Sequence, residues 1–495
     1  MLSARPVSAL LALPIFAVAV AARLAPVLRG GGLFSDGNYD DAVHYAAAAG
    51  LVHGRMPYED FLFLHPPGIA VALAPFAAFG TWTSDALGMA AARLAWILLG
   101  GINAALIVLT LRKVGPWAAI AGGLFYAGYL PAIYSEHTTL LEALGTAGIL
   151  SALFIGRFAD PAASSSMVRV LTAGLVAGAA ASVKVWGVVP VLVLVVWLLI
   201  KAGRRPGLRF LAASVTGCSL VCLPFFANAP STMWQMVVLD QLGRPANPSL
   251  ELRRKLYDVL GLRWEPVHVG WLLVVVLLVG VLLIVAAWTT RDGRIFVWLL
   301  AAGLVALTLT PVWWIHYASF IAGPAALTVG AGLSQISRWV EVAGRGARYA
   351  VVSMFVIGGM VIYGGQLLNT RLQTPFPGKT LSASVAAADG CITSDQPIAL
   401  IETDVLTRNL QRGCRLVVDI RGYAHHRSSS AWAPEGRSRS RGWQAHTLEY
   451  CRSGDLFISA HFSAARGFDK ATAATVQSWP VVAKAGRYTV RRPHP

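Results

Sequence analysis

Charged side chains are scarce in this sequence of 495 residues, and acidic ones are scarcer than basic ones. Asp, Glu, Lys and Arg make up 13% of the residues, with 24 acidic against 41 basic side chains, whereas a soluble domain carries roughly 25% charged residues. Hydrophobic residues reach 56%, and the mean hydropathy is +0.60. This composition argues against an ordinary soluble protein and predicts a chain that lies mostly in a lipid bilayer.

Motifs for several common chemistries are also missing. The sequence has no P-loop, no dinucleotide-binding glycine pattern and no HExxH motif, so ATP hydrolysis, redox cofactors and zinc proteolysis have no support. The net charge of +17 is compatible with nucleic-acid binding, but the basic residues are scattered through short segments between apolar runs and through the tail. Membrane topology explains that distribution better, because cytoplasmic loops collect Lys and Arg.

Apolar runs that approach the length of a membrane span follow one another through most of the chain. A span needs about 20 apolar residues. The first run lacks a convincing cleavage site and is interpreted as a retained span rather than a signal peptide. The expected fold is an α-helical integral membrane protein with about eleven transmembrane helices. The runs lie near residues 7–27, 88–111, 115–133, 139–156, 170–183, 186–200, 208–227, 268–289, 295–312, 319–336 and 346–367.

The basic residues between the spans predict the orientation of the chain in the plasma membrane. With about eleven spans they fall on one side, together with Arg5, and the positive-inside rule makes that side the cytoplasm. The first loop, the Glu136–His137 turn, residues 228–265 and everything after Gln366 then lie outside. The basic residues used are Arg112, Lys113, Arg157, Arg169, Lys201, Arg204, Arg205, Arg209, Arg291, Arg294, Arg338, Arg345 and Arg348.

Residues 370–495 differ in character from the rest, because apolar runs shrink to the length of strands and polar residues return. Ile398–Ile401 and Leu416–Ile420 are predicted as buried strands, with a short helix over Thr403–Gln411 between them. The Ser/Arg-rich stretch Arg427–Arg441 is predicted to be a mobile loop. We therefore expect a membrane domain over residues 1–369, with a catalytic outer loop near 28–87, and a small extracytoplasmic α/β domain over 370–495.

Cysteine use agrees with an exported tail. Cys391, Cys414 and Cys451 all lie there, where an oxidising compartment permits disulfides. Three cysteines allow three pairings, and Cys391 with Cys414 is preferred.

An acidic pair, Asp40 and Asp41, follows the first span and precedes a run with helical spacing. Asp is common at the start of a helix and stabilises it there by about 1 kcal/mol, so the pair is compatible with a helix cap. Alternatively, one carboxylate is a general base that takes a proton from an acceptor hydroxyl. Both interpretations hold together if Asp41 caps the helix and Asp40 is catalytic.

The order of these motifs resembles a known family. Tyr39–Tyr45 with its acidic pair, then Gly54–Phe61, then His65–Gly68 resemble the GT-C glycosyltransferases over roughly residues 1–330. The protein mannosyltransferase and aminoarabinose-transferase group, in its actinobacterial form, is the most similar. The resemblance implies a polyprenyl-phosphate sugar donor, Asp40 as catalytic base and Asp41 as its partner. Aminoarabinose transferases carry Lys before the Pro-Pro pair, where this chain has His65.

A second polar turn precedes the fourth apolar run and contains Glu136 and His137, with Glu142 following inside that run. Carboxylate and imidazole groups are suitable ligands for a divalent metal, so these residues beside Asp40 are a candidate metal site. The alternative is a solvated turn at the membrane interface. Glu142 calls for a polar cavity, because an acid inside a span is costly.

The remaining candidates for substrate binding are basic or aromatic positions near predicted outer span ends. Lys184 either extends to the interface beside Trp186 or neutralises the phosphate of a lipid donor. Arg253 and Arg254 offer the same charge, or else attract lipid headgroups. An aromatic belt explains the tryptophans near residue 313, which leaves His316 as a candidate cavity residue.

These observations favour an inverting membrane glycosyltransferase. It would move a sugar such as mannose or arabinofuranose from a polyprenyl-phosphate donor to an extracytoplasmic glycan, lipid or protein. The need for a divalent metal stays open. A flippase for a lipid-linked sugar is the alternative, although two similar halves with matching broken helices are not visible. A membrane-anchored glycan-binding protein would place the function in the tail and leave Asp40 without a role.

Overall fold

The computed structural model describes residues 10–158, 166–244, 252–262, 270–342, 344–422, 434–460, 462–463 and 466–494. The chain divides into two compact units, each assembled from three stretches of sequence. The first, called here the bundle unit, comprises Met1–Arg29, Ala95–Val221 and Asn247–Leu372. The second, the mixed unit, comprises Gly30–Leu94, Cys222–Ala246 and Gln373–Pro495. Residues expected to form an outer loop of the membrane domain thus share a unit with the tail.

Helices dominate the chain as far as residue 385, and most of them coincide with the predicted apolar runs. The first ten, α1 to α10, are Ala12–Arg29, Tyr39–Val52, Gly68–Trp82, Asp85–Leu111, Pro116–Gly128, Leu130–Glu136, Leu141–Gly156, Met167–Ala181, Val188–Lys201 and Arg204–Asn228. Helices α11 to α19 are Pro230–Trp234, Asp240–Leu242, Leu252–Leu260, Gly270–Thr289, Arg291–Thr308, Ala322–Glu341, Arg345–Gly359, Gly365–Asn369 and Gly378–Val385.

Several of these helices have the length and composition of membrane spans. Within the described residues six qualify, or seven if the pair α6 and α7, bent by 110°, counts as one broken span. Three shorter apolar helices accompany them, at Gly68–Trp82, Met167–Ala181 and Val185–Lys201. The chain is therefore a multi-pass membrane protein, as predicted, although the number of eleven spans is not confirmed. The first of the short helices, α3, was not among the predicted runs.

Small residues allow the helices of the bundle unit to pack closely. A Cβ atom on Gly178 of α8 would lie 1.9 Å from the Ser214 carbonyl oxygen of α10, and one on Gly217 would lie 2.1 Å from the Leu175 carbonyl oxygen. Close backbone approach at Gly and Ala is how membrane helices gain packing energy, because lipid offers little hydrophobic driving force. Alanine and leucine side chains from α5, α7, α8, α9 and α16 fill the core around these contacts.

A charged pair lies in the interior of the bundle unit, at the break between α6 and α7. Arg23 of α1 donates from Nε and Nη2 to Oε2 of Glu136 at 2.6 and 2.5 Å, and both side chains are fully buried. The other oxygen of Glu136 accepts hydrogen bonds from Asn103 at 2.8 Å and Tyr126 at 2.6 Å. Each charge is thus compensated, which a buried ion requires. The sequence analysis did not single out Arg23.

A small sheet and short helices form the C-terminal part of the mixed unit. The strands are β1 (Ile392–Ser394), β2 (Leu456–Ser459), β3 (Val481–Ala485) and β4 (Tyr488–Arg491), in the order β1-β2-β4-β3. The β1–β2 pair is parallel and the other pairs are antiparallel. The helices α20 to α24 are Pro397–Glu402, Leu406–Gln411, Pro434–Arg439, Arg441–Arg452 and Lys470–Ser478.

The predicted strands of the tail were wrong. Ile398–Ile401 lies in α20, which begins with a proline at its first position, a residue suited to starting a helix. Leu416–Ile420 is irregular, although it is mostly buried against the other core residues. A short apolar run does not distinguish a strand from a buried helix or an irregular core segment. The predicted helix over Thr403–Gln411 is confirmed over its second half, as α21.

The other two expectations for the tail had different outcomes. The Cys391–Cys414 disulfide is confirmed, and Cys451 is a buried free thiol. Of the predicted mobile loop, residues 427–433 lie outside the described residues. For the later part of this stretch the prediction of a loop was wrong, because Arg437 and Arg441 lie on helices α22 and α23.

Replacing Arg23 by methionine tests the buried pair. The change leaves the Glu136 carboxylate buried without its cation, and we expect a loss of about 3–5 kcal/mol of stability. Apparent melting temperatures in detergent measure this, with Arg112→Met at an exposed position as the matched control. The double variant Arg23→Met/Glu136→Gln should recover most of the loss. A single variant as stable as the parent would contradict the assignment.

Candidate functional site

The acidic pair lies in the first turn of α2, and its two members have different surroundings. Asn38 is the helix cap, since its side chain accepts a hydrogen bond from the Asp40 backbone N–H at 3.1 Å. The prediction that Asp41 caps the helix was therefore wrong. Asp40 is half-buried, whereas Asp41 is fully buried. Both carboxylates gain from the positive end of the helix dipole.

Asp41 forms an ion pair with a residue that the sequence analysis missed. Arg93, on α4, donates to Oδ2 of Asp41 from Nη2 at 3.1 Å and from Nε at 3.2 Å. Its Nη1 contacts the carbonyl oxygens of Leu33 and Ser35 at 2.5 and 3.0 Å, and Oε1 of Glu402 at 3.3 Å. An arginine inside an apolar run is itself a signal of a buried polar partner. That signal was available in the sequence.

Two histidines lie near the acidic pair. His44 follows Asp40 by one helical turn, so the two share a face of α2. The His65 ring centroid lies 5.2 Å from that of His44, and both rings contact Phe63 edge to face. A hydrogen bond from the Tyr58 hydroxyl to the His65 carbonyl oxygen, at 2.6 Å, holds this loop. His65 thus packs against His44, which lies one helical turn from Asp40 and which the sequence did not predict as a site residue.

A second group of candidate residues lies in the bundle unit, around Lys184. Its ammonium group donates to Oε1 of Glu142 and lies 4.1 Å from the centroid of a Trp186 ring and 4.3 Å from that of Tyr317. The Lys184 side chain is 14% exposed and that of Glu142 is 1% exposed. Lys184 therefore turns into the protein, which disfavours the interpretation that it merely reaches for the interface. Oε2 of Glu142 is buried without a hydrogen-bond partner.

A cleft opens beside this pair. Glu142 and Lys184 are its charged lining residues, and the rest is mainly apolar or small, including Leu150, Phe320 and Pro324. His316 is buried, stacks edge to face on Tyr317 at 4.9 Å and interacts electrostatically with Glu142. The cleft thus joins an apolar wall to a charged pair, a combination suited to an amphipathic ligand.

Arg253 and Arg254 are exposed on the short helix α13. Val259 of the same helix packs in one apolar cluster with Trp186 and Tyr317, the two rings that flank Lys184. The helix that carries the two arginines thus packs against the apolar cluster that includes Trp186 and Tyr317.

The proposed metal ligands of the second turn are occupied by other contacts. Both oxygens of Glu136 are engaged by Arg23, Asn103 and Tyr126, and Nδ1 of the buried His137 contacts the Tyr134 carbonyl oxygen at 2.6 Å. In the part of the chain that the structure describes, no three His, Cys, Asp or Glu side chains gather as a metal site would require. Glu136 therefore does not fit the role of a metal ligand. The solvated-turn alternative was also wrong, because both residues are buried.

Burial controls the ionisation of the two acids that share Arg93. It raises the pKa of Asp41 to about 6, and Arg93 only partly offsets this effect. Burial also raises the pKa of Glu402 to about 8, with Asp41, Asp404 and Asp36 acting in the same direction and Arg93 opposing them. Glu402 therefore holds its proton at neutral pH, while Asp41 keeps the charge that pairs with Arg93.

No family model and no curated protein matches this sequence. The structure, however, is similar to that of ArnT from Cupriavidus metallidurans bound to undecaprenyl phosphate, with a TM-score of 0.62 and 15% identity over 97% of both chains. It is also similar to the oligosaccharyltransferase AglB from Archaeoglobus fulgidus in complex with an inhibitory peptide and a dolichol-phosphate. There the TM-score is 0.55 and the identity 11%, over 95% of this chain and 72% of that chain. The chain thus shares its fold with these two proteins.

The protonated state of Glu402 predicts how stability depends on pH. Its pKa is raised from 4.5 to about 8 on folding, so the folded state binds more protons and the free energy of unfolding falls as pH rises through that window. The raised pKa of Asp41 also makes the free energy of unfolding fall as pH rises, but only up to about pH 6. We expect the apparent melting temperature to decrease between pH 6 and 8.5, and Glu402→Gln to reduce that slope. The exposed Glu449→Gln is the control, and an unchanged slope in Glu402→Gln would refute the assignment.

Proposed function

We propose that this protein is a membrane glycosyltransferase that transfers a sugar from a polyprenyl-phosphate donor to a hydroxyl acceptor. Two observations support the proposal: the GT-C fold over nearly the whole chain, and the position of one half-buried carboxylate, Asp40, at the head of α2. The similar ArnT structure contains undecaprenyl phosphate and the similar AglB structure a dolichol-phosphate, both polyprenyl phosphates. The comparisons lend no support to the flippase alternative.

The different surroundings of the two acids support different roles for them. Asp41 is held by Arg93 through two N–H donors and is fully buried, so it cannot approach an acceptor. Asp40 is only half-buried and lies in the first turn of α2. Asp40 is therefore the general base, and Asp41 is the residue that anchors the helix from which it projects.

The reaction that follows from one base is a single displacement. Asp40 takes the proton of the acceptor hydroxyl while the hydroxyl oxygen forms a bond to the anomeric carbon of the donor sugar. The bond from that carbon to the phosphate oxygen breaks, and the electron pair leaves with the polyprenyl phosphate. Attack from the face opposite the leaving group inverts the anomeric configuration, as in sugar hydrolysis with one base and one leaving group.

The group around Lys184 is the proposed donor site. An apolar cleft next to a cation suits a prenyl chain followed by a phosphate. The donor phosphate would take the place of Glu142 as the partner of Lys184, with Arg253, Arg254 and His316 as further polar groups on that side of the bundle unit. Binding the anion without a cation would be prohibitively costly in this apolar setting.

Orientation and substrate identity complete the proposal. The basic loops place the acidic motif and the tail outside the plasma membrane. The donor sugar is mannose or an arabinofuranose-like pentose, and the acceptor is an extracytoplasmic glycan, lipid or protein. A divalent metal would have to be held by ligands other than Glu136. Incubation of the purified protein with a panel of polyprenyl-phosphate sugars identifies the donor by its consumption.

Asp40→Asn tests the base. The amide cannot accept the proton, and we expect turnover to fall by roughly 10² to 10⁴-fold, the usual contribution of a general base. Membrane insertion and melting temperature should stay unchanged. Asp60→Asn is the matched control, because Asp60 is an exposed aspartate of the same segment. Turnover close to that of the parent would remove Asp40 from this role.

The role of Lys184 is tested together with a neutral residue at position 142, so that Glu142 is not left buried without its cation. The double variant Lys184→Met/Glu142→Gln removes both charges, and donor affinity should drop by an order of magnitude or more, given about 1.5–3 kcal/mol for a hydrogen bond to a charged group. Glu142→Gln alone should bind donor at least as tightly as the parent, since the carboxylate competes with the phosphate. Lys201→Met, at the end of α9, is the control. Titration in nanodiscs decides, and unchanged affinity in the double variant argues against the site.

A further inference from the structure

We propose that Glu402, at the end of α20, is a positioning residue for the transfer reaction. Glu402 holds Arg93, and Arg93 holds Asp41. The first turn of α2, which also carries Asp40, is fixed in this way. This inference rests on the proposed function for the role of Asp40. It assigns the tail a part in the catalytic step, where the sequence left open whether the tail binds acceptor or is only a structural lid.

The guanidinium of Arg93 is the centre of the arrangement. It is fully buried, and the side chains of Asp41 and Glu402 are 0% and 2% exposed. Asp41 occupies Nε and Nη2, and Nη1 is shared among Glu402 and the carbonyl oxygens of Leu33 and Ser35. A planar guanidinium with several partners in fixed directions has little freedom to rotate. Loss of Glu402 would remove one of these partners, and we expect it to let Arg93 shift the direction in which Nη2 is presented to Asp41.

The backbone before α2 closes around the same guanidinium. Gly37 has a φ of 58°, and a Cβ atom at this position would lie 2.2 Å from Nη2 of Arg93 and 2.7 Å from Oδ2 of Asp41. Only glycine fits there without displacing the ion pair. Asn38, the cap of α2, is the next residue. The position of Arg93 is thus coupled to the start of the helix, one residue before the acidic pair.

The segment that carries Glu402 is fixed to the helix that carries Arg93. Asp404 accepts a hydrogen bond from the Ala86 backbone N–H at 3.0 Å, and Asp85 accepts bonds from the backbone N–H and hydroxyl of Thr407 at 2.8 and 2.6 Å. Asp404 has a φ of 58°, an uncommon conformation for a residue other than glycine. Three hydrogen bonds therefore hold this turn against the beginning of α4. Glu402 is held at a defined distance from Arg93 and is not on a free lid.

The charge balance determines which form of Glu402 suits this role. Arg93 is the cation between two carboxylates, and Asp36, Asp404 and Tyr45 also face the Glu402 carboxyl group. Ionised Glu402 would compete with Asp41 for the guanidinium, whereas the neutral acid accepts a hydrogen bond through its carbonyl oxygen and leaves the Asp41 pair intact. The raised pKa of Glu402 favours the neutral acid at pH 7. Glutamine therefore mimics the working state, and alanine removes it.

The experiment compares Glu402→Gln with Glu402→Ala in the full-length protein, using a sugar donor consumed by the parent. We expect Glu402→Ala to lower kcat by about tenfold or more, because a small misplacement of a base costs up to about 10²-fold, with the donor KM unchanged. Glu402→Gln should keep kcat near that of the parent at pH 7. The parent should lose kcat above about pH 8, and Glu402→Gln should reduce that loss. Glu449→Ala, at an exposed ion pair, is the control.

The results that overturn the proposal are distinct. An unchanged kcat in Glu402→Ala refutes it, and so does a loss in Glu402→Gln as large as that in Glu402→Ala. If Glu402→Ala does not fold, Thr407→Val is used instead. This variant removes one of two hydrogen bonds to Asp85 and should lower kcat in the same direction, and an unchanged kcat there refutes the proposal.

A measurement without substrate separates this inference from the proposed function. Asp41→Asn and Glu402→Ala are combined, and the melting temperatures of the single and double variants are compared. Residues that share one partner give shifts that do not add, so a non-additivity of several degrees supports the coupling through Arg93. Additive shifts refute it. If the parent consumes no polyprenyl-phosphate sugar, the proposed function fails, and this cycle still decides whether Glu402 and Asp41 are coupled.

Discussion

Pairing of buried charges is the constraint on which the arrangement of this protein depends. In an apolar chain each buried ion carries a desolvation penalty of several kcal/mol unless a partner of opposite charge and further hydrogen bonds compensate it. Arg23 with Glu136, Arg93 with Asp41, and Lys184 with Glu142 meet this requirement. Each pair joins residues that are far apart in sequence, so each also fixes how particular helices lie against one another within its unit.

The three pairs nevertheless serve different purposes. The Arg23–Glu136 pair has its partners satisfied on both sides, and it is a structural connection in the bundle unit. The Lys184–Glu142 pair borders a cleft and leaves one carboxylate oxygen without a hydrogen bond, and it is the pair proposed to meet the donor phosphate. The Asp41–Arg93 pair lies one residue from the proposed base. The surroundings of each pair, rather than the identity of its residues, distinguish a structural ion pair from one proposed to take part in binding or catalysis.

Asp40 and Asp41 illustrate the same principle at neighbouring positions. Successive residues of a helix point about 100° apart, so Asp41 can be buried against Arg93 while Asp40 stays half-buried. The sequence motif predicts that an acidic pair is present and where. It does not predict that Asn38 caps the helix, because Asn and Asp are equally good caps and lie within three residues of each other here.

How much the sequence predicted depends on the range of the interactions involved. Hydropathy is a local property, so the apolar runs predicted the positions of most helices. The placement of three cysteines in a tail expected to lie in an oxidising compartment predicted the Cys391–Cys414 disulfide. The prediction of strands in the tail was wrong for the same reason, because Ile398–Ile401 and Leu416–Ile420 are apolar without being strands. Their burial comes from packing against distant residues of the mixed unit.

Local patterns along the chain were sufficient to predict the membrane location, the approximate bounds of most helices, and an acidic motif that resembles a transferase family. They did not predict that Arg93 joins Asp41 to Glu402, across separations of 52 and 309 residues. The tertiary structure decided this, and it also decided that Glu136 is committed to Arg23. The physical reason is that the energy of an ion pair depends on distance and burial in three dimensions, neither of which a local pattern of residues specifies.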